Sequence, residues 1–193
     1  MADIRLVLTG TTPLMCHNPN LSDPDHPITR QIKAITSKTN KTEDDRRAID
    51  KLEWYGGLYT APDVDGPAMP TPNILSCLIA GATKFRKGTA VSDALSFRVL
   101  HVPIGYDGPR AIDELWAGES CRIRMPVVVQ RQRTWRMRPG FMPWSVAADA
   151  FLAEDELDFE EFVRIVQRAG LSKGLGEGRK IGFGRFEGKA TRR

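Results

Sequence analysis

DFEEFVRIVQRAGLSKGLGEGRKIGFGRFEGKA, residues 158–190, places a helix, a glycine-rich passage and a strand in immediate succession. Asp158 is a natural N-cap, and Glu161 three residues later completes a capping-box pattern. Phe159, Phe162, Val163 and Val166 share one face at helical spacing, and Gly170 is expected to close the helix. A strand is predicted over 181–190. Between helix and strand, six of the fifteen residues 174–188 are glycine and three are Arg or Lys. Glycine loses the most backbone freedom on folding and weakens helices and strands. Its concentration beside positive charge therefore calls for a reason.

The same alternation of elements extends back toward the N-terminus. IRLVLTG (4–10) reads as a strand ending at Gly10. TPNILSCLIAGATKFRKG (71–88) reads as a helix capped by Thr71 or Asn73, with Pro72 in its first turn and Leu75, Leu78, Ile79 and Ala82 on its apolar face. The small run Ala80, Gly81, Ala82 allows another element to approach closely. FRVLHVPI (97–104) alternates as a strand, and WSVAADAFLAE (144–154) reads as a central strand. The order is β-α-β-β-α-β, an α+β class of ferredoxin-like or RRM-like type. At 193 residues the chain fits a single domain, 1–193.

Two additions interrupt this core. Residues 28–57 form a helical insert: one helix over 28–38, then TEDDRRAIDKLEWYGG. In the latter Thr42 is the N-cap, Asp45 follows three positions on, Gly56 and Gly57 end the helix, and Ile49, Leu52 and Tyr55 share a face. Residues 119–140 form an arginine-rich β-ribbon arm in which Pro126 breaks the ladder or marks an edge, and its tip need not touch the core. The proline-spaced stretch 11–27 and the Pro/Gly/Asp-rich stretch 59–72 read as loops, and 105–119 as a polar excursion.

Charge is segregated along the chain although the net value is only +4. Residues 120–140 hold six arginines and no acidic residue, whereas 141–161 hold seven acidic residues and no basic one. From Gly170 onward, Lys and Arg again outnumber Glu177 and Glu187. Separate basic patches fit a polyanion partner. No apolar run is long enough to span a membrane. The opening MADIRLVLTGTTPLM makes a poor signal peptide. Cys16, Cys77 and Cys121 form no disulfide framework or metal pair, so a reducing, cytoplasmic setting is expected.

Consecutive amides in glycine-rich turns can cup an anion. Gly174, Gly176 and Gly178, with Arg179, Lys180 and Arg185, are therefore candidates for contact with a phosphate backbone. The competing reading is a tight helix-to-strand connection in which glycines clear space. The stretch is neither a P-loop, lacking G-x-x-x-x-G-K-[ST], nor a dinucleotide fingerprint, since it follows a helix and enters a strand. Arg131, Arg133, Arg136 and Arg138 with Trp135 interleave guanidinium groups and an aromatic, a pattern suited to gripping phosphates and stacking bases. The alternative is an exposed hairpin with Trp135 tucked into the core. His17 is a weak candidate general acid–base, and Asp63 and Asp65 are weak candidates for cleavage chemistry. The three histidines show no metal-ligand spacing, and no metal or other cofactor is expected.

LSKGLGEGRKIGFGRFE resembles the C-terminal glycine-rich signature of the RAMP superfamily, the repeat-associated proteins of CRISPR effector complexes, and within it the backbone-forming Cas7-like branch. The loop glycines Gly174, Gly176 and Gly178 with Arg179, and the opening Gly182-Phe183-Gly184-Arg185-Phe186, carry the likeness over about 30 residues. The resemblance implies an RRM-like core, binding of guide RNA or another single strand, head-to-tail assembly, and inserted elements including a β-ribbon. It also implies that a histidine near the first strand or a loop aspartate could cut RNA. The chain is shorter than most such proteins and lacks the base-stacking aromatic pairs of a plain RRM. A CRISPR subunit and a stand-alone or virus-encoded relative both stand open.

The expected function is a non-enzymatic subunit that binds the backbone of single-stranded RNA or DNA, RNA first, in repeated copies or within a nucleoprotein complex. Two alternatives are an RNA endonuclease on the same fold and a viral protein-interaction module that imitates and inhibits an RNA-guided complex.

Overall fold

Ile4, Leu6 and Leu8 are buried at alternate positions of β1 (Ala2–Gly10), an interior strand of the main sheet. The computed structural model describes residues 2–129 and 131–193. Gln130, within the expected arm, lies outside them. After β1 come β2 (Leu14–Met15), α1 (Pro27–Thr36), α2 (Glu43–Gly57), β3 (Thr60–Ala61), β4 (Val64–Pro70) and α3 (Thr71–Ala82). These are followed by α4 (Gly88–Ala94), β5 (Leu95–Phe97), β6 (His101–Tyr106), α5 (Ile112–Ala117), β7 (Arg122–Val129) and β8 (Gln132–Phe141). The chain closes with β9 (Trp144–Leu152), α6 (Phe159–Ser172) and β10 (Phe186–Arg192).

The main sheet runs β10-β1-β9-β6-β4-β3, with β5 also paired to β9. Numbering only the four core strands, its first four positions read 4-1-3-2, and each neighbouring pair is antiparallel. This is an open α+β sheet of the ferredoxin-like, RRM-like arrangement expected from the element order. Trp144, Val146, Ala148, Ala150 and Leu152 alternate inward along β9 and complete the buried face begun by β1. Helices α3 and α6 pack together beside that face. The small residues of α3 allow this: a Cβ at Gly81 would stand 2.7 Å from the Ala169 Cβ.

Several expected boundaries shift for physical reasons. Gly170 does not end α6; the helix continues to Ser172, and Gly170 lies buried where a Cβ would overlap the Phe186 carbonyl oxygen. Asp158 caps α6 by accepting from the amides of Glu160 and Glu161 at 2.9 and 3.1 Å, while Glu161 turns to Lys87 Nζ, 3.2 Å away, in place of closing a capping box. The last strand opens at Phe186, five residues later than expected, because 179–181 form a 3-10 turn. Stretch 59–72 is not a loop but contributes β3 and β4, with Met69 paired to Val102 of β6. Stretch 105–119 contains α5, and 97–104 is split into β5 and β6. Helix α3 begins after Pro70 without a side-chain cap; Thr71 Oγ1 donates to the Val99 carbonyl at 2.7 Å instead.

The insert and the ribbon are joined to each other. Thr42 and Asp45 form the expected capping box of α2. The buried residues of α2 are Glu53, Trp54, Gly56 and Gly57, whereas Ile49, Leu52 and Tyr55 are only half-buried. The indole of Trp54 donates to the Cys121 carbonyl at 2.8 Å. Glu53 accepts from the Met137 amide at 2.9 Å and from Arg136. A second, three-stranded sheet β2-β8-β7 carries the ribbon. Among the described residues, no helix is long and apolar enough to cross a membrane.

Candidate nucleic-acid interface

The glycine-rich passage is threaded between α6, β10 and the segment that follows β1. Its amides are largely committed to the protein. Leu175 donates to the Gly184 carbonyl at 2.9 Å, Glu177 to Met15 at 2.8 Å and Gly184 to Pro13 at 2.8 Å. Arg185 donates its amide to Thr12 Oγ1, which in turn donates to the Gly182 carbonyl, both at 2.8 Å. Gly184 has φ +69, and a Cβ there would overlap the Leu175 carbonyl oxygen. Gly176, at φ +73, meets the Met15 carbonyl oxygen in the same way. The glycines thus let three backbone segments cross at hydrogen-bonding distance, a structural role that a side chain at either position would prevent.

That crossing lifts 178–182 clear of the core, beside a cleft of about 630 Å³. Met15, Met125, Val127 and Ile181 give its apolar lining, and His17, Tyr59, Asn73, Ser76 and Glu177 its polar one. Arg179 and Lys180 stand exposed at its rim. Neither makes an ion pair among the described residues. Arg185 folds under the loop, donates Nη2 to the Arg179 carbonyl at 3.0 Å, and leaves its buried Nη1 without a partner among the described residues.

The ribbon arginines divide into two groups. Arg138 is buried and its Nε lies 2.8 Å from Glu177 Oε2. Arg136 pairs with the buried Glu53. Arg131, in the turn, and Arg133 beside it are exposed and make no ion pair among the described residues. Trp135 is 57% exposed, so it is not tucked into the core; the Arg124 guanidinium lies 5.6 Å from its ring centroid. Arg131, Arg133 and Trp135 do not line the cleft, whereas Met125 and Val127 of the same ribbon do.

His17 reaches the cleft from the segment after β2. Its Nδ1 stands 3.8 Å from Glu177 Oε2, the oxygen that Arg138 also contacts. Burial holds the imidazole below its ordinary range, Arg138 adds to this, Glu177 opposes it and Arg136 contributes in the same sense as Arg138. His17 is therefore neutral at pH 7. Because its folded-state value lies below the unfolded one of about 6.5, its contribution to stability is present above that pH and is lost as pH falls toward the folded value. Thermal melts between pH 7.5 and 5 should fall more steeply for the native chain than for His17→Asn; parallel curves would remove His17 from the acid response.

Asp63 and Asp65 are exposed on the β3–β4 hairpin and do not line the cleft. Among the described residues, no group of three His, Cys, Asp or Glu side chains could hold a metal ion. Cys16 and Cys77 are buried thiols pushed up to about 12 by burial, far from thiolate reactivity.

No protein-family model and no curated protein matches the chain. The site therefore rests on its own geometry. The sequence gives no sign that Tyr59, Asn73, Ser76, Met125, Val127 and Glu177 belong to one site. They come from separate stretches of the chain, and each reads locally as ordinary strand, helix or turn. The one legible signal is Ile181, an apolar residue set between a basic pair and a glycine.

Proposed function

We propose that the chain binds single-stranded nucleic acid, RNA first, along a path from the cleft rim at Arg179 and Lys180 to the ribbon tip at Arg131 and Arg133. The observation that carries this reading is the contrast between two sets of arginines. Arg136 and Arg138 are neutralised by Glu53 and Glu177, while the cations bordering the cleft and the ribbon tip have no carboxylate partner among the described residues. Cations without protein partners beside a partly apolar cleft suit a flexible polyanion carrying flat apolar bases. Interactions of this kind go to the backbone, so sequence preference is low.

Arg179→Ala with Lys180→Ala should weaken binding to a U-rich oligonucleotide. The slope of log K against log salt should fall by about 1.4, that is, about 0.7 for each phosphate of a single strand that is no longer neutralised. An unchanged slope in folded protein would exclude these two side chains as phosphate ligands. Membership of the RAMP superfamily belongs to the same proposal, supported by the 4-1-3-2 core and by the placement of the glycine-rich loop between α6 and β10; assembly in repeated copies and a cytoplasmic setting are what that membership would imply.

A second reading has its own observation. Neutral His17 lies beside Glu177 in the same cleft, and an imidazole held free of its proton can act as general base on a ribose 2′-hydroxyl. Cleavage of an RNA oligonucleotide that is lost both in His17→Ala and on 2′-deoxy substitution would favour a ribonuclease; intact RNA after prolonged incubation would exclude it.

A further inference from the structure

Ile181 is 65% exposed at the tip of the glycine-rich loop, flanked by Lys180 and Gly182. Met125 and Val127 of β7, both half-buried, line the same cleft. Three aliphatic side chains thus face a common space with cations at one rim and nothing covering them among the described residues. Tyr59 does not fill this space: its hydroxyl is engaged in donating to the His17 carbonyl at 2.7 Å. The cleft volume of about 630 Å³ lies in the range of small-molecule sites, which runs from about 300 to 1,000 Å³. It is large enough for a nucleotide.

We propose that this cleft receives one base at a time, unstacked from its strand, against Ile181, Met125 and Val127, while the adjoining phosphate meets Arg179 and Lys180. The inference rests on the nucleic-acid reading above and narrows its substrate class. A base paired in a duplex must first leave the stack to enter, at a cost of a few kcal/mol. The ligand is therefore a strand with unpaired, freely unstacking nucleotides, and duplexes of the same charge bind poorly. Aliphatic walls make no hydrogen bonds to a base edge, so purines and pyrimidines are both admitted. Charge complementarity selects this occupant over an apolar peptide segment, because Arg179 and Lys180 border the opening and lack protein counter-ions among the described residues.

The test uses the full chain and single-stranded oligonucleotides carrying one 2-aminopurine flanked by adenines, a probe whose fluorescence is quenched by stacking. Anisotropy of an end label reports binding on the same sample. The expected result is a several-fold rise in 2-aminopurine emission on saturation. Ile181→Ser with Val127→Ser should reduce affinity by about tenfold and abolish most of the rise. The salt slope should stay unchanged, since neither side chain meets a phosphate. Ile181 is exposed and Val127 lies on an edge strand, so the fold tolerates both changes, and Ile181→Ser alone serves as the milder control. Binding by anisotropy without a rise at any probe position overturns the base-pocket inference and leaves the nucleic-acid reading standing. Equal affinity for a duplex of the same length overturns it too. No anisotropy change at low salt overturns the nucleic-acid reading, and this inference with it.

Discussion

Gly184→Ala is expected to destabilise the protein by about 3–5 kcal/mol, as measured by urea denaturation. Two effects combine. A residue with a Cβ held in the left-handed region costs about 1–3 kcal/mol, and Gly184 sits at φ +69. Forcing extra volume into a packed site adds about 1–3 kcal/mol, and here the obstacle is backbone, the Leu175 carbonyl, which cannot rotate aside as a side-chain tip could. Relieving that overlap would move Gly184 away from Pro13 and Leu175, to both of which it is hydrogen-bonded. Gly182→Ala makes a fair comparison. It has φ +98 but open space where a Cβ would stand, so only the backbone cost applies. Equal losses at the two positions would contradict the crossing-segment account of the loop.

The second large effect concerns Glu53→Ala, with an expected loss of about 2–4 kcal/mol. Glu53 is 3% exposed and joins helix α2 to strand β8 through Arg136 and the Met137 amide. Removing one partner of a buried pair costs about 3–5 kcal/mol because the other charge is left uncompensated. The partial exposure of Arg136 lowers that figure here. Replacing both partners by Met should recover much of the loss, since two apolar groups leave no stranded charge. A double variant less stable than Glu53→Ala would show that the carboxylate acts mainly through the Met137 amide. Hydrogen exchange of β8 gives a second readout: protection there should fall in Glu53→Ala more than in β1.

The sequence makes the local features of this fold readable and conceals the distant pairings. The capping box of Thr42 and Asp45 and the amphipathic faces of α3 and α6 depend on residues three or four apart, which a linear reading sees directly. Strands β3 and β4 are hidden because Pro62, Asp63, Asp65, Gly66 and Pro67 carry turn chemistry, yet β4 gains its place by pairing with β6, some thirty residues on. Gly170 reads as a helix terminator because a small residue that makes room for a neighbouring strand and one that ends a helix are the same letter. The fate of the ribbon arginines is equally non-local. Arg136 finds its carboxylate 83 residues earlier and Arg138 finds its own 39 residues later, so no composition window separates them from Arg131 and Arg133. The glycine-rich loop is legible as special, and its reading as a tight helix-to-strand connection in which glycines clear space holds at Gly176 and Gly184, which serve the crossing; the turn they support leaves Arg179, Lys180 and Ile181 exposed.

The clasp between Thr12 and the glycine-rich loop also sets an order of events during synthesis. Thr12 and Arg185 are 173 residues apart, yet their hydrogen bond helps to hold the cleft in shape. A nascent chain on the ribosome carries the first half of the clasp long before the second half is made. Until then the edge of β1 that will receive β10 stays open and can pair with another chain. The cleft rim at Arg179 and Lys180 does not yet exist either, although the lining residues from Met15 to Val127 are already made. The cleft takes its final form only when the last elements of the sheet are in place.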